Sequence, residues 1–151
     1  MTAATHRFLL PACLLLAASS LPAAEPSTDP VLRIDAGMHT AVIKRLSTAA
    51  AGTLALTVSE DKTARLWSLK KGQEGRLLRV LRPPLGEGEE GMLFSGALSP
   101  DGSLAAVGGW TGYEWDKAIS ISLFDTASGR LVRRLGDLPD VVLDLAFSPG
   151  G

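Results

Sequence analysis

Four groups of side chains in this 151-residue sequence have the types from which chemistry is built. His39, Asp61 and a hydroxyl from Thr57 or Ser59 supply the base, acid and alcohol of a hydrolytic triad. Glu87, Glu89 and Glu90 bring carboxylates close enough to collect a hard divalent cation. Glycine spacing leaves that stretch without a regular ligand pattern, so it reads as a solvated, flexible loop. Trp110, Tyr113 and Trp115 include two of the three tryptophans and the only tyrosine, and clustered aromatics of this kind anchor binding interfaces. The same tryptophans could instead fold back over the neighbouring sheet as a lid. Cys13 is the only cysteine. Leu10-Pro11-Ala12-Cys13 has the outline of a lipoprotein cleavage box, yet most of the apolar run follows the cysteine, whereas such boxes close the run. No His or Cys cluster suits zinc or haem, and no phosphate-cradling glycine loop precedes a helix. The expectation is therefore no catalytic residue, no metal and no cofactor in this chain.

The N-terminus is read as a targeting segment. His6 and Arg7 give a basic start, an apolar run covers 8–18, and small residues over 19–24 offer cleavage after Ser20, Ala23 or Ala24. That run is about half the ~20 residues needed to cross a bilayer, so no membrane span is expected. Removing 1–24 leaves a mature chain without cysteine, in keeping with an exported protein, periplasmic or secreted. A net charge of −1 and a pI near 6.1 argue against a nucleic-acid partner. With 46% hydrophobic and 21% charged residues the mature part, 25–151, has the means to pack a core.

What must position these side chains is a repeat. Residues 43–54 are echoed by 93–104 and again from 142 to 151, with turn glycines at 52, 102 and 151, spaced 50 and 49 residues apart. The period slightly exceeds the ~40 to 45 residues of a four-stranded propeller blade, and loop insertions account for the excess. Short apolar runs broken by turn residues predict strands at 41–48, 54–59, 64–69 and 77–81, then at 93–99, 104–107, 119–125 and 131–135. The fold class is all-β: an incomplete β-propeller of about two four-stranded antiparallel blades, 37–82 and 91–136, plus the first strand of a third at 141–151. A further short strand at 31–35 is expected to join the two ends of the ring as an outer strand.

Leu54 to Trp67, LALTVSEDKTARLW, resembles the most recognisable segment of the WD-repeat (WD40) family, and Gly37-Met38-His39 resembles the family's Gly-His pair with one residue inserted. The resemblance implies that His39, Thr57, Asp61 and Trp67 form a buried hydrogen-bonded tetrad, with Ser59 a lesser candidate. Buried indole, imidazole and carboxylate can satisfy one another, which makes this set structural and not a triad. The second unit departs from the pattern: Phe124-Asp125 replaces Trp-Asp, no histidine lies near Gly91, and no acidic residue marks the tetrad turn. The stretches LRIDAGMHTAVIKRL, LRPPLGEGEEG and VGGWTGYEWD resemble exported bacterial WD-repeat proteins, some joined to a caspase-like peptidase.

The resemblance implies a non-catalytic scaffold that binds a protein or peptide, and the aromatic and acidic clusters make Trp110, Tyr113, Trp115, Glu87, Glu89 and Glu90 its candidate contacts. The alternative is the binding propeller of a larger exported enzyme whose peptidase domain lies outside this sequence. Two blades leave a ring open and its strand edges unpaired, so the remaining blades are expected as partners. The reading frame is expected to be truncated at Gly150-Gly151; a ring assembled from several chains is the rival.

Overall fold

The computed structural model describes residues 37–112 and 119–151. The candidate leader, the strand expected at 31–35, Tyr113 and Trp115 lie outside the described residues. β1 (Ile43–Thr48), β2 (Leu54–Ser59), β3 (Ala64–Ser68) and β4 (Arg76–Leu81) form one antiparallel sheet in sequence order. β5 (Met92–Leu98), β6 (Leu104–Trp110), β7 (Ile121–Asp125) and β8 (Leu131–Leu135) form the second, and there is no helix among the described residues.

Turn chemistry sets the strand boundaries. The N–H of Gly52 donates to Ala49 O at 2.9 Å, that of Gly102 to Ser99 O at 2.8 Å, and that of Gly151 to Ser148 O at 3.0 Å. All three glycines have positive φ, at 62°, 75° and 99°, a region that side chains resist. The three copies of the repeat thus close the same turn. In the second copy the Ser99 hydroxyl (2.6 Å), the Ser103 N–H (3.0 Å) and the Ser103 hydroxyl (2.9 Å) all donate to Asp101 Oδ1.

Those donors, the Ser99 hydroxyl first, lower the Asp101 carboxyl from 3.8 to about 2. Because the folded value is depressed, the contribution of this turn is complete above pH 3.8 and vanishes as pH falls through about 2. An NMR titration of Asp101 is expected to show its midpoint at about 2. A midpoint at the ordinary aspartate value would mean that the three donors do not persist in solution.

The sheets repeat each other's irregularities. The register shifts between Ile43 and Arg45 in β1 and between Leu93 and Ser95 in β5, at equivalent points of the repeat. Each third strand also meets a shift at its aromatic residue, between Leu66 and Trp67 and between Leu123 and Phe124. Bulges bend a strand and sharpen its twist, so shared bulges give the two sheets the same curvature and allow them to nest.

They nest through apolar side chains. Leu56, Val58 and Leu66 of the first sheet form one core with Leu93, Leu98, Ala105, Val107 and Phe124 of the second, and β5 packs against β1 and β2. Burying each of the larger of these side chains stabilises by roughly 1.5–3 kcal/mol. Gly96 lies at the closest approach, where an added Cβ would sit 2.5 Å from Val58 Cγ1. Polar links cross the same seam: Ala50 N–H donates to Pro100 O at 3.1 Å and Leu98 N–H to Ser47 Oγ at 3.1 Å.

Two expectations are corrected. β6 runs on past Val107 through Gly108 and Gly109 to Trp110. Glycine is a poor strand former by type, yet the ladder needs these two, since a Cβ on Gly109 would stand 2.2 Å from Met92 O. Ile119 and Ser120 precede β7 and lie outside it; Ser120 N–H donates to Thr111 Oγ1, whose hydroxyl donates back to Ser120 O, both at 2.8 Å. Residues 141–147 form no ladder among the described residues, although they sit along the second sheet. Val142 N–H donates to Gly109 O at 3.3 Å, Ser95 Oγ–H to Val142 O at 3.0 Å, and Arg45 meets Asp144 at 2.7 Å.

Candidate functional site

The β2–β3 turn places Asp61 beside the segment that leads into β1. His39 Nδ1 lies 2.8 Å from Asp61 Oδ2, His39 Nε2 lies 2.8 Å from Thr57 Oγ1, and Trp67 Nε1–H donates to Thr57 Oγ1 at 2.8 Å. The structure therefore brings His39, Thr57, Asp61 and Trp67 together. A neutral imidazole with its proton on Nδ1 satisfies the whole set: indole to hydroxyl, hydroxyl to Nε2, Nδ1–H to carboxylate. The imidazole and carboxylate side chains are only 3% and 5% exposed.

Asp61 takes more donors than the tetrad supplies. Thr40 N–H reaches Oδ2 at 3.0 Å, while Thr63 gives Oδ1 both its N–H at 3.0 Å and its hydroxyl at 2.6 Å. Burial acts to raise the carboxyl pKa, but the Thr63 hydroxyl, His39 and the Thr40 N–H together outweigh it, and the net shift is downward. Thr63 was not among the expected site residues. The Asp-x-Thr spacing, a form of the Asx-turn, is the signal that marks it. Ser59 belongs to the turn and not to the relay, its Oγ accepting the Asp61 N–H at 3.1 Å.

This arrangement opposes nucleophilic chemistry. The Thr57 hydroxyl oxygen sits inside β2, accepts the indole N–H, lies against the imidazole Nε2 and is buried. An attacking alcohol needs an open approach and a base that is not already serving a structural bond.

The second sheet puts apolar side chains at the positions matching Thr57 and Trp67. Thr57 pairs with Arg65 and Ala55 with Trp67; at the matching registers Val107 pairs with Ser122 and Ala105 with Phe124. Val107 thus replaces the hydroxyl and Phe124 the indole, and both are buried. Replacing donor and acceptor together leaves neither orphaned, which keeps the exchange nearly neutral.

Antiparallel order carries the β2–β3 turn, the β4–β5 loop (82–91) and the described ends of the β6–β7 connection, Thr111–Gly112 and Ile119–Ser120, to one end. Lys62, in the left-handed region at φ 67°, sends its Nζ to Gly86 O at 3.0 Å and ties the Asp61 turn to the acidic loop. Gly91 N–H donates to Trp110 O at 2.6 Å and draws the two longer connections together. Glu87 and Glu89 are exposed and Glu90 is half-buried, folded back against Gly86. Among the described residues, no three His, Cys, Asp or Glu side chains converge on a metal position. Trp110 is not at a hairpin tip: it ends β6, half-buried and paired with Met92. Tyr113 and Trp115 lie outside the described residues.

No protein-family model matches the chain. It is similar to proteins named WD repeat and SOCS box-containing protein 1: 40% identical over 67 residues to that of Homo sapiens, covering 44% of this chain and 14% of the relative. The Danio rerio protein is 38% identical and the Xenopus tropicalis protein 40% identical, each over 81 residues, 52% of this chain and 18% of the relative. The chain therefore spans less than a fifth of the length of these relatives. Together with two nested four-stranded sheets, these similarities support a WD-repeat kinship for the chain.

Proposed function

We propose that this chain is part of an exported, non-catalytic propeller scaffold that grips a protein or peptide at the end carrying the Asp61 turn. The observation that carries this reading is the convergence of that turn, the 82–91 loop and the described ends of the β6–β7 connection on two stacked sheets. A rigid sheet stack that delivers variable connections to one end is well suited to recognition, because loops tolerate change while the core beneath them does not. His39, Thr57, Asp61 and Trp67 act as the structural tie beneath this surface. Trp110, Tyr113 and Trp115 are the proposed aromatic anchors, with Glu87, Glu89 and Glu90 as the charged border.

The test begins with the full chain expressed in a bacterial host. It is expected to be recovered outside the cytoplasm with a new N-terminus after Ser20, Ala23 or Ala24. Crosslinking on the envelope fraction should give discrete adducts, which a triple alanine variant at Trp110, Tyr113 and Trp115 loses without losing its β-type circular dichroism. Adducts unchanged in that variant would overturn the aromatic-anchor reading, and retention of residues 1–20 on cytoplasmic protein would overturn export.

A further inference from the structure

The opposite end carries a different feature, between the two sheets. A groove of about 380 Å³ is lined by Leu54, Leu66, Leu78, Arg76, Arg79 and the β7–β8 turn at Ala127. Its lining comes from β2, β3, β4 and the β7–β8 turn, all among the described residues. Its floor continues the core: Leu54 and Leu78 pack against the buried cluster yet stay partly exposed.

Its rim is basic. Arg76 is exposed and its guanidinium has no hydrogen bond or ion pair among the described residues. Arg79 donates to two neutral carbonyls, Leu78 O at 3.2 Å and Ala127 O at 2.7 Å, which orient it without balancing its charge. Lys70, Lys71 and Arg130 stand exposed at the same end. Of the acids there, Asp101 and Asp125 are engaged by their own turns, through Ser99 and Ser103 and through Ser128. Glu74 is the remaining carboxylate.

We propose that this groove takes an extended segment of a partner protein in which an apolar side chain is flanked by carboxylates. The apolar side chain would displace water from Leu54 and Leu78, and the carboxylates would meet Arg76 and Arg79, whose planar guanidinium groups suit carboxylate oxygens. A short polyanion without an apolar anchor would leave the leucines wet, and an uncharged peptide would leave the two arginines unanswered. This surface is distinct from the loop end of the proposed scaffold, so either can fail alone.

Fluorescence polarisation on the full chain tests it, using a fluorescein-labelled peptide of alternating leucine or valine with aspartate or glutamate, and a counterpart carrying lysine in place of the acids. The acidic peptide is expected to bind and the lysine peptide not. Arg76→Glu should weaken binding about tenfold or more, Arg76→Lys should keep most of it, and Leu78→Ala should weaken it as well. Equal binding of both peptides, no loss in Arg76→Glu, or no binding at about 1 mM peptide would each overturn the proposal.

Discussion

Asp61→Ala is expected to lower the unfolding free energy by about 3 kcal/mol at neutral pH, read as a fall in the urea midpoint with little change in slope. The carboxylate accepts from His39, the Thr40 N–H, the Thr63 N–H and the Thr63 hydroxyl, and its side chain is 5% exposed. Truncation leaves these donors facing a small void that water enters poorly, and each orphaned buried donor costs about 1–3 kcal/mol before relaxation. Asp61→Asn keeps an acceptor and should lose less. The effect has a direction in pH. The folded carboxyl lies below its unfolded value of 3.8, so its stabilisation is complete above that value and declines as pH falls through the lower folded one. The gap between wild type and Asp61→Ala should therefore narrow in acid below about pH 4. A loss under about 1 kcal/mol at pH 7 would mean the set is a surface network that water replaces freely.

Gly96→Val is the second large effect, expected to destabilise by about 3 kcal/mol or more through overpacking. The new Cβ would lie 2.5 Å from Val58 Cγ1 and 3.4 Å from Leu56 Cδ2, and the branched methyls have nowhere to go because Ala106 O closes the third side at 3.6 Å. Val58 is fully buried between the sheets and cannot swing aside. The clash is with a side chain, so it can be relieved: Val58→Ala introduced with Gly96→Ala should restore much of what Gly96→Ala alone loses. A double variant no better than the sum of its parts would show that the sheets are not nested at this point in solution.

Much of the fold was legible because its signals are local. The Asp101 turn and the glycines at 52, 102 and 151 require particular residue types at particular φ, and seven of the eight strands lie within two residues of where their apolar runs place them. The strand expected at 104–107 stops short of Gly108 and Gly109 because glycine is a poor strand former by propensity, whereas here the missing side chain is what lets β5 pass close by. The His39–Asp61 tetrad was visible only through its likeness to a family pattern. The Thr63 contribution has only the Asp-x-Thr spacing as its signal, a weak one because a threonine two residues from an aspartate is common in any turn.

The sequence alone determined the elements: a period near fifty residues, alternating apolar strands, and turns closed by glycine and aspartate. Those follow from steric and hydrogen-bonding preferences that act over a few residues and need no knowledge of neighbours. Tertiary structure alone decided which faces meet. It set Val58 against Gly96, put Trp110 in a strand, and left Arg76 and Arg79 around an apolar groove. These outcomes depend on bulges that bend both sheets alike and on how deeply one curved surface enters another, and residues far apart in the chain settle that together.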